Sequence, residues 1–224
     1  MLKKVDWHIH SVDHTYYGTD TFSGLTEHDK RRIEYMVRWA VERELDYAAI
    51  TDHDLSAPGF YAAEYAEKNF EIEIIPGIEC EIFVKSPAGH EIPVHILGLG
   101  VQEQPDYVKS YSAEKLIEAI HDVGGIAAMS HPMYYPRAIF DSVKHLLDGV
   151  EVFNGMRAHV DNPDPWFNPN PQAGRFDPGN DFKGLRLYGS DRHYEHKYIA
   201  AHNQAVSEHE EEIISRILNG EYRK

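Results

Sequence analysis

Short apolar, β-rich runs alternate with segments of helical spacing along almost the whole chain, and this rhythm limits the folds open to it. The predicted strands cover residues 4–10, 47–51, 72–75, 78–84, 93–99, 126–130, 150–153 and 185–188. The predicted helices cover residues 25–44, 59–69, 113–123, 138–147 and 209–218. Strands that alternate with helices favour an α/β fold with a mainly parallel sheet and right-handed crossovers. At 224 residues, the chain suits one domain or one large α/β barrel.

The first predicted helix, residues 25–44, has a clear apolar stripe along one face. Its apolar stripe consists of Ile33, Met36, Val37, Ala40 and Val41. These positions share one face of a helix, and Thr26 is a suitable N-cap in front of them.

The segment 156–184 breaks the rhythm. It is rich in Pro, Asn, Asp and Gly, and it contains Trp166 and Phe167. Loops of this length are usually functional covers or mobile segments. We therefore expect a single domain over residues 1–224, with a covering loop at about 156–184.

Composition and charge narrow the functional classes. The formal charge is -15, from 37 acidic and 22 basic residues, which disfavours non-specific binding of long nucleic acid. One cysteine, Cys80, excludes an intrachain disulfide and a zinc site built from cysteines. No signal-peptide core or membrane-length apolar run is found, so the expected setting is cytoplasmic and no membrane partner is expected. The oligomeric state stays open, and the fifteen histidines exceed ordinary usage.

Histidines and acids stand at or near the ends of the predicted strands. They are His8, His10, Asp52, His53, Glu79, His95, His131, Asp191 and His193. In a barrel of parallel strands, residues at the carboxyl ends converge on one mouth, where active sites are built. The sequence therefore predicts a polar cluster at that mouth.

Three positions have their own local argument. His8 and His10 are two residues apart, which puts both rings on one face of a strand, although surface histidines would show the same spacing. Glu79 lies in an otherwise apolar strand, where an unpaired carboxylate is costly. His131 precedes Pro132, and a hydrogen-bonded core histidine is the alternative to a ligand there.

Taken in order, these motifs resemble the PHP (polymerase and histidinol phosphatase) family of phosphoesterases. The resemblance is carried by DWHIHS, AAITDHD, IPGIECEI, VHILGLG, SHPM, VEVFNG, GSDRH and IISRILNGEYR. It implies a distorted (β/α)7 TIM-like barrel with a metal cluster at its mouth. It also implies hydrolysis of phosphomonoesters or, in some members, of nucleotides and oligonucleotides.

The resemblance assigns the ligands of three ions. His8, His10, Glu79 and Asp191 match the ligands of the first ion. Glu79 also bridges to a second ion, which His95 and His131 complete. Asp20, His53 and His193 form a third position, although the lengthened segment SVDHTYYGTDTFSG leaves Asp13 or His14 open in place of Asp20.

The expected mechanism is hydrolysis by a hydroxide shared between two or three divalent cations, for which Mn²⁺, Zn²⁺ and Fe²⁺ all suit a donor set without thiolate. The expected catalytic residues are His193, His53 and Asp191, and if the third position holds no ion, either histidine can protonate the leaving oxygen. Asp52 and Asp54 are candidates to orient ligand imidazoles, or else simple turn residues.

The expected substrate is a small phosphorylated molecule. Its predicted contacts are Arg137, Asn154 and Arg157, where the arginines could grip a phosphate or be plain surface residues. A phosphomonoester of a nucleotide, sugar or amino alcohol is the favoured substrate. An exonuclease or phosphodiesterase on short oligonucleotides is the alternative, and a non-catalytic metal-binding module is a lesser one.

Overall fold

The computed structural model describes residues 3–12, 24–86, 88–158, 174–194 and 204–221. The strands in these ranges are β1 Lys4–Ile9, β2 Tyr47–Ile50, β3 Glu73–Lys85, β4 Glu91–Leu99, β5 Ile126–Met129, β6 Gly149–Asn154, β7 Leu185–Gly189 and β8 Gln204–Ala205. The helices are α1 Glu27–Glu42, α2 Ala57–Asn69, α3 Ala113–Asp122, α4 Arg137–Val143, α5 Gly155–Ala158 and α6 Glu208–Leu218. A single 3₁₀ turn, Pro132–Tyr134, follows β5. Asp13, His14, Asp20, Trp166 and Phe167 lie outside the described residues.

The strands form one sheet that nearly closes into a barrel. Its order is β7-β6-β5-β4-β3-β2-β1-β8, with β8 antiparallel to the start of β1. Closure comes from backbone hydrogen bonds between β1 and the residues that follow β7. The amide of Asp191 donates to the carbonyl of His8, and the amide of His10 donates to the carbonyl of Arg192, both at 2.8 Å. The prediction of a distorted TIM-like barrel is confirmed.

Strand direction departs from the sequence prediction at β4. The pairs β1–β2, β2–β3, β5–β6 and β6–β7 are parallel, as expected. In contrast, β4 runs antiparallel to both β3 and β5. A run of β-rich residues carries no sign of its direction, so the sequence pattern could not show this reversal.

The predicted break between strands 72–75 and 78–84 was wrong, because β3 is one strand of 13 residues. Pro76 lies opposite Ile50, the last residue of β2, and Gly77 is the first residue of β3 that pairs with β4. The Pro-Gly pair therefore marks the point where β3 begins to pair with β4, and the strand continues through it.

The helices begin and end close to their predicted bounds. Thr26 caps α1 in a capping box with Asp29, and the predicted stripe is buried at Ile33, Met36 and Val37. None of the helices in the described ranges combines the length and apolar character that a membrane span requires.

The described part of the predicted covering loop packs back onto the barrel wall. The amide of Asn154 donates to Gly174 at 2.9 Å, and the amide of Phe176 donates to Val152 at 3.0 Å. Phe176 and Phe182 also pack against Phe140 of α4. The covering role of this loop, and the single-domain reading, stay predictions.

Candidate metal centre

Glu79 lies at the centre of a ring of histidines. Its carboxylate is 1% exposed, and five imidazoles approach it within 3.4 Å. Oε1 lies 3.0 Å from His131 Nε2, 3.1 Å from His95 Nδ1 and 3.4 Å from His8 Nε2. Oε2 lies 2.9 Å from His53 Nδ1 and 3.3 Å from His10 Nε2. The two oxygens therefore face different sets of nitrogen atoms, as a bridging carboxylate would.

The strand pairing delivers these side chains to one end of the barrel. Residues after β2 continue beside β3, since the amide of Glu79 donates to Asp52 at 3.0 Å and the amide of Asp54 donates to Glu79 at 2.8 Å. This pairing places His53 next to Glu79. His95 reaches the same end because β4 runs in the opposite direction and its residues enter from the mouth, with His95 opposite Glu81.

His8, His10 and Asp191 form the deepest part of the cluster. The Nε2 atoms of the two histidines are 2.9 Å apart, and Asp191 Oδ1 lies 3.7 Å from His8 and 3.4 Å from His10. Asp191 has a left-handed backbone, with φ of 52°. Such a conformation is costly outside glycine, and residues held in it concentrate at functional sites.

The donor atoms fit divalent cations. An ion bound at about 2.0–2.2 Å from nitrogen or oxygen brings its ligand atoms to roughly 3 Å from one another. The nitrogen and oxygen atoms of this cluster lie at similar distances from one another. Among the described residues, Glu79 Oε2, His10 Nδ1 and His95 Nδ1 are buried without a hydrogen bond. Three groups could each hold an ion, namely His10–His53–His193, His8–His10–Asp191 and His53–Glu79–His95.

Comparison with known proteins finds a relative in sequence and solved structures of similar fold. Uncharacterized protein MJ1587 of Methanocaldococcus jannaschii is 34% identical over 155 residues, which cover 67% of this chain and 81% of that protein. A crystal structure from Bifidobacterium adolescentis, of a protein assigned as a metal-dependent phosphoesterase, matches with a TM-score of 0.64 at 16% identity, over 95% of this chain and 96% of that one. The chain belongs to the same family as MJ1587, and its fold is consistent with a PHP-like phosphoesterase.

A more distant structural neighbour is an amidohydrolase from Chromobacterium violaceum, solved with bound sulfate and no metal. It matches this chain with a TM-score of 0.50 at 15% identity, over 91% of this chain and 92% of that one. At such identities the two structural matches establish the fold alone. No protein-family model matches the sequence.

The charges in the cluster around Glu79 are strongly coupled. Burial alone would raise the pKa of Glu79, but His95 and His8 outweigh it and hold that pKa well below its usual value. Burial alone would lower the pKa of His10, but the bonds to Asp191 and Glu79 raise it to about 9. The pKa of His193 falls to about 3, because the ring is buried and lies beside His10 and His53. A ring that is neutral at pH 7 suits a metal ligand better than a proton donor.

The sequence analysis did not single out several residues that contact Glu79 and the clustered histidines. Glu151 Oε1 lies 3.3 Å from His8 Nδ1, and Glu151 Oε2 accepts from the amide of His131 at 2.6 Å. The hydroxyl of Ser130 donates to Glu79 Oε1 at 2.7 Å. The hydroxyl oxygen of Tyr135 lies 3.2 Å from His131 Nδ1. Glu151 carried a usable signal, since it is a carboxylate between two valines of a buried strand.

Asp52 and Asp54 hold loops and do not orient imidazoles directly. Asp52 Oδ1 accepts from the amides of Ser11 and Val12, both at 2.7 Å, and so fixes the chain just after His10. Asp54 accepts from the hydroxyl of Tyr107 and from the amide of Glu81, the latter at 3.3 Å.

The three residues predicted to contact the substrate make different kinds of contact in the structure. Asn154 is buried and donates to Glu151 at 3.0 Å and to Asp191 at 3.1 Å, so it supports the cluster. Arg137 donates to the carbonyls of Asp177 at 2.6 Å and Pro178 at 2.9 Å, contacts that hold the segment after residue 174. Arg157 differs from both, because its guanidinium lies over the ring of Tyr134.

Proposed function

We propose that this chain hydrolyses a phosphomonoester of a small metabolite, such as a nucleotide, sugar or amino-alcohol phosphate, with two or three bound divalent cations. The observation that carries the proposal is Glu79, a buried carboxylate whose two oxygens face five histidines from four segments of the chain. Such a donor set suits Mn²⁺, Zn²⁺ or Fe²⁺.

The proposed ligands follow from the contacts. Glu79 would hold cations on both sides of its carboxylate, with His8, His10 and Asp191 on the deep side and His53, His95, His131 and His193 around it. Cations bound there would supply Lewis acidity towards the phosphate oxygens and lower the pKa of water. The side chains hold the positions, exclude bulk water and fix the direction from which a substrate can enter. His53 and His193 are both assigned to the ligand set, so neither is left as the proton donor to the leaving oxygen.

Arg157 is the favoured phosphate contact. Its guanidinium carbon lies 4.9 Å from the centre of the Tyr134 ring, and that ring packs on His131 at 5.1 Å. Nε of Arg157 has no hydrogen-bond acceptor among the described residues. A guanidinium beside a ligand histidine can donate to two oxygens of one phosphate.

The test compares activity on a panel of compounds. Purified protein loaded with Mn²⁺, Zn²⁺ or Fe²⁺ is assayed on a nucleoside monophosphate, a sugar phosphate, an amino-alcohol phosphate and a labelled short oligonucleotide. We expect phosphate release from at least one monoester and a loss of at least 100-fold in Glu79→Gln, because that carboxylate is the proposed bridge.

Glu73→Gln is the matched control, since Glu73 is an exposed glutamate and the first residue of the same strand. It should retain full activity. Cleavage of the oligonucleotide alone would replace the phosphatase with the exonuclease alternative. Metal-loaded protein without activity on any of these esters would contradict the proposal and favour the non-catalytic module.

A further inference from the structure

We propose that Lys109 positions two histidines of one metal group, His53 and His95, through two carboxylates that it holds at once. The inference rests on the metal binding proposed above, and it assigns a role to residues outside the ligand set. The group concerned is His53–Glu79–His95.

His95 is held from both sides of its ring. Nδ1 lies 3.1 Å from Glu79 Oε1, is buried and makes no hydrogen bond, whereas Nε2 lies 3.4 Å from Glu81 Oε2. A neutral imidazole carries one proton, and a carboxylate at Nε2 favours the tautomer with the proton there. Nδ1 then presents its lone pair towards Glu79, as a ligand needs.

Lys109 holds the carboxylate of Glu81, which favours this tautomer of His95. Its Nζ lies 2.8 Å from Glu81 Oε1, which leaves Glu81 Oε2 directed at His95. Glu81 and His95 are also paired across the β3–β4 ladder, so the carboxylate and the ring share one face. The Glu81 side chain is 28% exposed, so without its cation it would be free to turn towards solvent.

The same ammonium group reaches the other histidine of the group. Nζ of Lys109 lies 3.2 Å from Asp54 Oδ2, and Asp54 directly follows His53. The amide of Asp54 donates to the carbonyl of Glu79 at 2.8 Å, and its Oδ1 accepts from Tyr107. Asp54 has φ of 57°, a left-handed conformation that surrounding contacts must maintain.

Lys109 thus joins the segment after β2 to the β3–β4 pair, and it does so beside the ion that both would bind. Outer partners of metal-binding histidines commonly change metal affinity by about 10–100-fold when they are mutated. We expect a loss of that size at one ion, with the deep group of His8, His10 and Asp191 unaffected.

The experiment titrates the metal-free full chain with Co²⁺ alone and follows the visible absorption spectrum. Lys109→Met should weaken one class of site by about 10–100-fold and change its spectrum, while the remaining sites bind as in the wild type. Lys109→Arg, which keeps the charge, should restore much of the affinity. Lys115→Met is the control, because Lys115 is an exposed lysine of α3.

Each outcome bears on the inference. Unchanged affinity and spectrum in Lys109→Met, with sites lost in Glu79→Gln, would overturn the role of Lys109 and leave the proposed function intact. If the wild type binds no Co²⁺, both proposals fall. Should Lys109→Met not fold, Glu81→Gln keeps the test decisive, since it must weaken the same ion.

Discussion

At the scale of single residues, carboxylates on the outer side of the cluster decide how the histidines point. Glu151 lies 3.3 Å from His8 Nδ1, on the side of the ring opposite to His10 and Glu79. A carboxylate there favours a proton on Nδ1 and leaves Nε2 for a cation. Glu151 also accepts from the amide of His131 and from Asn154, so one side chain serves several members of the site.

Glu151→Gln tests this role. The amide can still accept from the backbone but no longer carries the charge that favours the Nδ1 proton of His8. We expect a loss of about 10–100-fold in the affinity for the most tightly bound ion, measured by competition with a chelator. Glu73→Gln serves as control and should bind as the wild type does. Equal affinities in all three proteins would refute the role.

The raised pKa of His10 predicts a pH dependence for metal binding. In the metal-free protein this ring titrates at about 9, against 6.5 unperturbed, so it is protonated at pH 7. Its contribution to stability is complete below about 6.5 and is lost as the pH rises through about 9. A cation must displace that proton, so affinity should rise with pH and level off above about 9.

Calorimetric titration of Mn²⁺ at pH 7.5, in buffers of different ionisation enthalpy, measures the displaced proton. We expect net proton release. No release, together with an affinity that is flat between about pH 7 and 9, would show that His10 is not a ligand.

The residues of the cluster could be predicted only in part from the sequence. Glu79 stood out because a carboxylate inside an apolar strand needs a partner, and Glu151 met the same criterion but was not singled out. Lys109 gave no signal, because its two carboxylates are brought to it by the fold and are distant in sequence. Whether Asp20, Asp13 or His14 completes the third position lies outside the described residues.

At the scale of elements, the end of β7 must approach β1 very closely. Gly189 is the last residue of β7, and a Cβ there would overlap Glu151 Oε1 and lie 2.5 Å from His8 Cβ. Only a residue without a side chain lets the barrel close at this point and keeps Asp191 near His8.

Gly189→Ala should therefore destabilise the fold by about 1–3 kcal/mol, through overpacking beside His8. Thermal unfolding and metal content are the measurements, and both should fall. Gly149→Ala is the control, since the nearest atoms to its Cβ are at 3.3 Å. If the two variants behave alike, the close approach at Gly189 is not a requirement of the site.

Helices and strands were predicted well where the periodicity of the sequence determines them, and poorly where they depend on which strands pair. Helix α1 followed from its stripe and its cap, because both are local properties. The continuity of β3 and the reversal of β4 depend on which strands become neighbours. Spacing along the chain does not contain that information.

At the scale of the whole molecule, the cluster joins segments that are far apart in the chain. His8, His53, Glu79, His95, His131 and Asp191 follow or belong to different strands, so ions held among them would cross-link the barrel. The same ions would offset part of the formal charge of -15.

Chelation should accordingly lower the melting temperature. A ligand at 100 times its Kd stabilises by about 2.7 kcal/mol. For a domain of this size, each kcal/mol corresponds to roughly 2–4 °C, so removal of one such ion should cost about 5–10 °C. Scanning calorimetry with and without chelator measures the shift, and Glu79→Gln should show much less of it. A wild-type melting temperature that does not change when chelator is added would contradict the cross-linking role.

The most direct test of the central claim is the anomalous diffraction of a crystal grown with Mn²⁺, recorded for the wild type and for Glu79→Gln. The account predicts at least two anomalous peaks in the wild type, each within coordination distance of a Glu79 oxygen, and fewer in the variant. A wild-type map without a peak between Glu79 and the histidines would contradict it.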